Sequence, residues 1–431
     1  MYYRHTSLKA ISQVNQPKWV RESLKEMLKR SEVGKRFCWT IFFVFIYVLG
    51  SKISLPFVDL SKALRLNEGT TTGLQLSSAV MGGNLRGMSI FSIGLSPWMS
   101  SMILWRMFTV SKRFNLEKTS SEIVERRKMY VTLVLAIVQS LAVAMYLPLK
   151  TGLNSGLVIA VNTMIMVAGA FFLVWLSDLN AALGLGNSIV IMMAGMVMYL
   201  PEDVMQALSN VNNIPGIAYI LGVIFLLIFV YVAVLVEYSK YQIPVNKLGI
   251  HNNLKSYTFL DIKINPAGGM PFMYAMTLVS IPQYAMLLVL SMDPNAKWAA
   301  HLAKRLVMGD PIWILLYILM IALLSFAFAF VNVNGEEIAD KMMKASEYID
   351  HIYPGADTRR YINGIVLRLT VFGTLYLILF TALPFSILLW DKELLRLTMI
   401  PGTFLMFVGM IYNIREEIRA LRVNQRYTRI F

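Results

Sequence analysis

The sequence predicts an all-α polytopic membrane protein, and two features of its composition carry this prediction. Of the 431 residues, 57% are hydrophobic and only 15% are charged, with a mean hydropathy of +0.58. A water-soluble core cannot hide that much apolar surface. The apolar residues also fall into separate stretches of the length that an α-helix needs to cross a bilayer, which is about 20 residues.

Ten such stretches follow one another along the chain. They lie near residues 37–55, 88–110, 129–148, 156–177, 187–204, 216–237, 270–291, 311–331, 361–383 and 397–413. The first follows 36 polar, basic residues and lacks a small-residue cleavage site, so we expect a retained span and not a signal peptide.

Lysine and arginine predict the orientation, because positively charged loops stay in the cytosol. With the N-terminus inside, cytosolic segments hold 28 of the 40 basic residues, external loops hold nine, and Arg86, Arg106 and Arg368 lie in spans. We therefore expect a multi-pass membrane protein with both termini in the cytosol. The net charge of +15 reflects this asymmetry and an attraction to anionic lipid, and not nucleic-acid binding.

Sequence signals for catalysis are scarce. Cys38 is the only cysteine, the four histidines show no metal-ligand spacing, and no phosphate-binding loop occurs. These observations predict no metal, no cofactor and no enzymatic activity, so any nucleotide-driven work falls to a partner. The glycines of "GLGNS" (184–188) are expected to form a turn between spans 4 and 5.

The spans also lack the carboxylates that pumps and ion-coupled transporters place inside the membrane. Asp178 and Glu237 are expected at span ends that water reaches, and Arg368 is close enough to the cytosolic interface to extend back to it. Weakly polar residues take their place in the spans. Such side chains either hydrogen-bond between helices, as in many membrane proteins, or line an interface that opens and recloses.

Residues 61–83 are too polar to span the membrane and too apolar, at "LQLSSAVM", for a simple solvated loop. A short segment tucked into the protein from outside satisfies both observations, because backbone at membrane depth must be buried in protein or line a wet cavity. Gly82 and Gly83 would then act as its hinge.

Five motifs resemble the SecY family, the channel subunits of the general protein translocase, and they occur in the family's order over essentially the whole chain. They are "GGNLRGMSIFSIGLSPWMS" (82–100), "WLSDLNAALGLGNSIVI" (175–191), "INPAGGMPFMYA" (264–275), the stretch from "EIADKMMKASEYI" to "RLTVFGTLY" (337–376) and "PGTFLMFVGM" (401–410). The resemblance implies ten transmembrane helices in two pseudo-symmetric, inverted five-helix halves.

By that resemblance, residues 1–36 form a cytosolic amphipathic segment, and residues 37–206 form the N-terminal half with a plug near 61–83. Residues 207–413 form the C-terminal half with cytosolic loops 238–266 and 332–360, and residues 414–431 form a cytosolic tail. The pore would close at a ring of five apolar side chains, which are Leu95, Met99, Met193, Met273 and Phe407. Methionine is flexible and polarizable, so a ring rich in it could seal around chains of varied width, although methionines also fill ordinary core gaps.

The resemblance further implies a lateral gate to lipid, lined by Ser96, Ser100, Gln139, Thr277 and Ser280. It implies a SecA-type ATPase that docks on the cytosolic loops, with Lys240, Lys247, Tyr353, Arg359 and Arg360 as its contacts. Small membrane subunits similar to SecE and SecG, or accessory ones, and a secreted preprotein would complete the assembly.

Several positions depart from the family pattern on the motor-docking side. "HIYPG" places Tyr353 where the family carries an arginine, and the loop after span 6 is poorer in basic residues. These departures favour the accessory SecY branch of certain Gram-positive bacteria, which exports serine-rich glycosylated adhesins with a dedicated motor. The alternatives are the general SecY channel and, from another class, an inverted-repeat secondary transporter or flippase.

Overall fold

A computed structural model describes residues 32–58, 78, 81–85, 87–110, 121–147, 155–209, 216–247, 259–293, 295–387 and 395–427. Most of the plug prediction (61–83) and most of the N-terminal segment (1–36) lie outside these residues.

The described residues form twelve helices and four short strands. The helices are α1 (Glu32–Ser51), α2 (Ser96–Val110), α3 (Ser121–Tyr146), α4 (Ser155–Leu183), α5 (Asn187–Ser209), α6 (Gly216–Tyr238), α7 (Met270–Met292), α8 (Lys297–Arg305), α9 (Pro311–Asn332), α10 (Gly335–Lys344), α11 (Ala356–Ile387) and α12 (Leu395–Tyr427). The strands are β1 (Lys240–Pro244), β2 (Asn246–Lys247), β3 (Phe259–Lys263) and β4 (Glu347–Tyr348).

Within the described residues, six helices are long and apolar enough to cross a membrane. They are Val33–Ser51, Glu122–Met145, Gly156–Leu183, Met270–Met292, Pro311–Lys344, a stretch that includes both α9 and the short α10, and Ala356–Ser386. Asn187–Pro201 and Gly222–Tyr238 are shorter apolar helices. The chain is thus a mostly helical, multi-pass membrane protein, while the count of ten spans stays a prediction.

The predicted second span is wrong in its first part. Residues 88–95 form turns, and α2 begins only at Ser96, with Pro97 in its first turn, where a missing N–H costs nothing. Gly94 adopts a φ of +64°, a left-handed conformation that cannot continue an α-helix.

The all-α prediction is also incomplete, because both predicted cytosolic loops contain strands. β1 pairs antiparallel with β3, and β2 pairs antiparallel with β4. Ile243 and Ile262 point into a small apolar core that is completed by α10 and α11 residues, including Met342 and Val366. Each strand has only two to five residues, so the sequence pattern does not distinguish it from the surrounding polar loop.

Two predicted boundaries do not coincide with helix ends. Residue 206, the predicted end of the first half, lies inside α5, and α12 continues without a break through residue 413 into the predicted tail. The turn predicted at "GLGNS" is present, since α4 ends at Leu183 and α5 begins at Asn187.

Helix packing brings the N-terminal and C-terminal parts of the chain together at two places. α7 contacts α2 and α3 on one side, and α12 contacts α1 and α5 on the other. The largest apolar cluster contains residues from α1, α2, α4, α5, α6, α7, α9, α11 and α12, so it includes residues of both parts of the chain.

Candidate functional site

The segment before α2, residues 81–85 and 87–95, is buried although it has no regular secondary structure. We call it the pre-α2 segment. Its backbone bonds to itself, because Asn84 N–H donates to the Phe91 carbonyl at 2.9 Å and Leu95 N–H donates to the Met81 carbonyl at 2.8 Å. Buried backbone groups must be paired, so these bonds allow an irregular segment to lie inside the helix bundle.

The segment is also attached to the end of α1. The Asn84 side chain donates from Nδ2 to the Ser51 carbonyl at 2.8 Å, and the backbone N–H of Leu55 donates to the Met88 carbonyl at 2.7 Å. The backbone N–H of Ile90 donates to the Ile53 carbonyl at 3.0 Å. The chain on both sides of residues 59–77 is therefore joined by hydrogen bonds.

Both predicted hinge glycines lie at constrained positions. Gly82 has a φ of +71°, and its carbonyl accepts a 2.9 Å hydrogen bond from the hydroxyl of the fully buried Tyr47. A Cβ on Gly83 would lie 2.8 Å from the Ser92 carbonyl oxygen and 2.9 Å from the Gly94 nitrogen. The left-handed φ of Gly82 and the close backbone packing at Gly83 therefore favour glycine at both positions, and their hinge motion stays a prediction.

All five predicted ring residues lie in the largest apolar cluster. Leu95, Met99 and Met273 are buried in it, and Met193 and Phe407 are half-buried and pack against it. Leu95 and Met99 are one turn apart, and the Met99 N–H donates to the Leu95 carbonyl. Met81 and Phe91 of the pre-α2 segment are buried in the same cluster.

A cavity of about 770 Å³ opens beside Met193. Its other lining residues all belong to α12, and they are Ile411, Ile414, Arg415, Ile418, Arg419, Arg422 and Val423. One predicted ring residue thus borders an open, partly basic space that extends along the last turns of α12.

The predicted gate residues are all buried, and they lie on α2, α3 and α7, three helices that contact one another. Three of their hydroxyls donate within their own helices: Ser100 to the Ser96 carbonyl, Thr277 to the Met273 carbonyl and Ser280 to the Thr277 carbonyl. These three hydroxyls therefore donate their hydrogen bonds within one helix and not to a neighbouring helix. The sequence alternative of hydrogen bonding between helices does not hold for these three side chains.

Gln139 of α3 differs from the hydroxyls, because neither its Nε2 nor its Oε1 has a hydrogen-bond partner in the described part of the chain, although the residue is 1% exposed. An unpaired buried amide costs free energy. In α7, by contrast, Gln283 donates to the Leu306 carbonyl at 2.5 Å.

The predicted docking residues lie on the two predicted cytosolic loops, which strand pairing joins. Lys240 forms an ion pair with Asp261 at 3.7 Å, and Lys247 of β2 with Glu347 of β4 at 3.4 Å. Lys247 and Glu347 are also register partners in the β2–β4 sheet.

Of the other three predicted docking residues, Tyr353 lies in the loop before α11, and Arg359 and Arg360 lie in the first turns of that helix. Tyr353 is 79% exposed. Arg359 pairs with Glu336 at 3.0 Å and Arg360 with Asp357 at 4.0 Å. An exposed aromatic ring beside basic side chains is suited to contact a protein partner.

The sequence prediction that water reaches Glu237 is wrong. Its side chain is 8% exposed and pairs with Lys263 at 3.2 Å, and the Lys263 ammonium lies 3.7 Å from the centroid of the Tyr412 ring. This contact of α6, β3 and α12 depends on strand β3 returning to the end of α6, which no motif in the sequence indicated.

The turn between α4 and α5 is a second missed site. Gly186 N–H donates to the Glu417 carboxylate at 2.8 Å, and Leu185 N–H donates to the Thr40 hydroxyl at 2.8 Å. α12 and α1 thereby hold this turn from two sides. Among the described residues, no group of three or more His, Cys, Asp or Glu side chains could hold a metal ion, and Cys38 is free and exposed.

Comparison with known proteins places these features in a family. Residues 89–415 match the family model described as SecY. The accessory Sec system protein translocase subunit SecY2 of Streptococcus sanguinis is 51% identical over 395 residues, which cover 91% of this chain and 97% of the relative. The protein of the same description from Leuconostoc gelidum is 34% identical, and the match covers 97% of that relative.

Solved structures agree in fold. A structure described as "The structure of a protein conducting channel" superimposes with a TM-score of 0.66 at 16% identity, over 96% of both chains. Sec61 in the canine ribosome-channel complex from the endoplasmic reticulum gives 0.62 at 16% identity, again over 96% of both chains. The chain therefore belongs to the SecY family, on the branch that the SecY2 subunits of the accessory Sec system represent.

Proposed function

We propose that this chain is the protein-conducting channel of an accessory Sec translocase in a bacterial cytoplasmic membrane, with both termini in the cytosol. The observation that carries the proposal is the gathering of Leu95, Met99 and Met273, with half-buried Met193 and Phe407, in one apolar cluster of a chain with the SecY fold. The similarity to SecY2 subunits supports the accessory role.

The ten predicted spans form two inverted five-helix halves, and the ring closes the pore between them. The buried pre-α2 segment packs on this ring and belongs to the plug, with Gly82 and Gly83 at its hinge. Backbone hydrogen bonds and close glycine contacts hold the segment, and an arriving chain can replace its apolar contacts. The contacts of α7 with α2 and α3, and of α12 with α1 and α5, support this arrangement.

Hydrophobic segments leave the pore sideways where α2 and α3 meet α7. Because the hydroxyls of Ser100, Thr277 and Ser280 bond within their own helices, separating these helices breaks none of those three bonds. Gln139 is unpaired among the described residues, so opening relieves its desolvation. Both features favour an interface that opens reversibly.

A SecA-type ATPase, in this branch an accessory one, supplies the energy from the cytosolic side. It contacts the loops at Lys240, Lys247, Tyr353, Arg359 and Arg360, which the β2–β4 pair joins into one surface. The channel itself makes and breaks no covalent bonds. Small subunits similar to SecE and SecG, or accessory ones, complete the assembly, and the substrates are serine-rich glycosylated adhesins.

The general SecY channel remains the alternative within the same family, and Tyr353 in place of the family's arginine argues against it. A secondary transporter or flippase is disfavoured by the missing carboxylates in the predicted span interiors. Neither alternative is supported by the relatives above, which carry the accessory description.

Export measurements in a strain that lacks this gene test the proposal. Surface display of a serine-rich adhesin should be lost and should return with the plasmid-borne gene, while secretion of an ordinary signal-bearing preprotein is unchanged. Loss of both substrates would identify a general channel. Normal export of both would contradict a role in protein secretion.

A further inference from the structure

A second cavity, of about 430 Å³, lies where the loop before α11 meets the first turns of that helix. It is lined by His351, Ile352, Tyr353, Asp357, Arg360, Tyr361, Gly364, Ile365 and Arg368. Tyr361, Ile365 and Arg368 follow one another at helical spacing, so they share one face of α11. A Cβ on Gly364 would meet nothing within 4 Å, which leaves this wall of the cavity open.

The cavity carries more positive than negative charge. Arg360 and Arg368 face it, and Asp357 is its carboxylate. Asp357 lies 4.0 Å from the Arg360 guanidinium, and both side chains are largely exposed, so this pair is weak. In the described part of the chain, no carboxylate lies within ion-pair distance of Arg368. Two guanidinium groups with little compensation favour an anion, and phosphate fits their planar donors especially well.

The position of Arg368 along α11 places the cavity at a membrane surface. The 22 residues from 369 to 390 contain no charged side chain. The 19 of these residues that lie in α11, residues 369–387, rise roughly 28 Å at about 1.5 Å per residue, close to the thickness of the hydrocarbon core of a bilayer. Arg368 is therefore the last charge before the hydrocarbon, at the depth of the lipid headgroups.

An exposed apolar track continues from the cavity on the same helix face. Phe372, Leu375 and Leu379 follow Arg368 at spacings of four, three and four residues, and each is more than half exposed. A basic cavity at headgroup depth that leads into an apolar track has the shape and polarity of a phospholipid.

We propose that this cavity binds one anionic phospholipid of the cytosolic leaflet. Its phosphodiester lies between Arg360 and Arg368, and its acyl chains lie along Phe372, Leu375 and Leu379. Tyr361 flanks the headgroup, at a depth where aromatic side chains are common. The site goes beyond the proposed function, although it shares Arg360 with the proposed motor contacts, and the choice of leaflet rests on the proposed orientation.

Lipid binding to the full-length purified channel tests this site. Phosphatidylglycerol is titrated against the protein, and the bound lipid is counted by native mass spectrometry, with phosphatidylcholine as the neutral comparison. Arg368→Gln should weaken phosphatidylglycerol binding about fivefold, the effect of one basic residue near a membrane surface. Arg126→Gln removes the same charge from an exposed position of α3 and should leave this binding unchanged.

Gly364→Leu provides a second, charge-neutral variant, because it fills the open wall of the cavity. It should also weaken phosphatidylglycerol binding. Equal binding of the two lipids, or unchanged phosphatidylglycerol binding in both variants, would overturn the proposal. The same holds if the variants weaken only the binding of a partner protein, measured in bilayers of phosphatidylcholine alone, since the cavity would then be a protein-docking surface.

Discussion

The hydroxyl of Tyr47 in α1 donates a 2.9 Å hydrogen bond to the carbonyl of Gly82, the residue at which the pre-α2 segment takes its left-handed conformation. The Tyr47 ring also stacks on Phe91 of the same segment, with a centroid distance of 6.1 Å. The Tyr47 side chain thus contacts the pre-α2 segment at two points, Gly82 and Phe91.

Tyr47→Phe keeps the ring contact and removes only the hydroxyl. It leaves the buried Gly82 carbonyl without this partner, so we expect the free energy of unfolding to fall by about 1–3 kcal/mol. Closed channels in vesicles should also leak small ions faster. Tyr231→Phe alters an exposed tyrosine of α6 and should change neither the melting temperature nor the leak. If the variant leaks as slowly as the wild type, the hydrogen bond from Tyr47 to Gly82 does not keep the channel closed.

Gly83→Ala should open the closed state. The new methyl group meets the backbone of Ser92 and Gly94 at less than 3 Å, and backbone cannot yield as a side chain does. We expect ion leak and faster protease cleavage near residue 83. Gly222→Ala is the matched control, because a Cβ there meets nothing within 4 Å in α6 and alanine favours helix. If Gly83→Ala stays sealed, the close packing of Gly83 and Gly94 does not maintain closure.

Gln139→Leu should stabilise the protein. The amide is buried without a hydrogen-bond partner among the described residues, and an apolar side chain of similar size removes that penalty, by about 1–3 kcal/mol. Because the closed gate gains this free energy, release of hydrophobic segments into lipid should slow.

Gln283→Leu is the counterpart, since it removes an amide that donates to the Leu306 carbonyl. It should lower the melting temperature while Gln139→Leu raises it. Shifts of the same sign in both variants would show that the pairing of these amides does not decide their effect.

Tyr353→Ala should weaken motor binding about tenfold without changing the melting temperature. The side chain is 79% exposed, so its removal costs no core packing, while exposed aromatic residues often dominate protein interfaces. Binding of the purified motor to channels in nanodiscs measures the effect. Tyr130→Ala changes an exposed tyrosine of α3 outside both loops and should bind the motor as the wild type does. Equal affinities for both variants would remove Tyr353 from the docking surface.

The sequence predicted the long apolar helices well, because their periodicity and length are local properties. α4, α7 and α9 begin within one residue of the predicted spans. The start of α2 was misplaced because the pre-α2 segment is as apolar as a span, and tertiary bonds such as Leu95 to Met81 decide its conformation.

Contacts between distant parts of the chain were the second kind of feature missed. β1 and β3 pair residues as far apart as Lys240 and Lys263, and the ion pair of buried Glu237 with Lys263 depends on that return. The ring residues came from family resemblance and not from spacing. The structure brings all five into one cluster, while their contact with a passing chain is still a proposal.

Disulfide crosslinking at Met193 tests the central claim most directly. In a Cys38→Ser background, a single cysteine at Met193→Cys is compared with one at Met164→Cys, an exposed methionine of α4. A serine-rich glycoprotein that carries one cysteine is stalled in transit by a folded C-terminal domain. We expect a crosslink from residue 193 and none from residue 164. A demonstrably stalled chain that crosslinks to neither position, or to both equally, would contradict a pore lined by Met193.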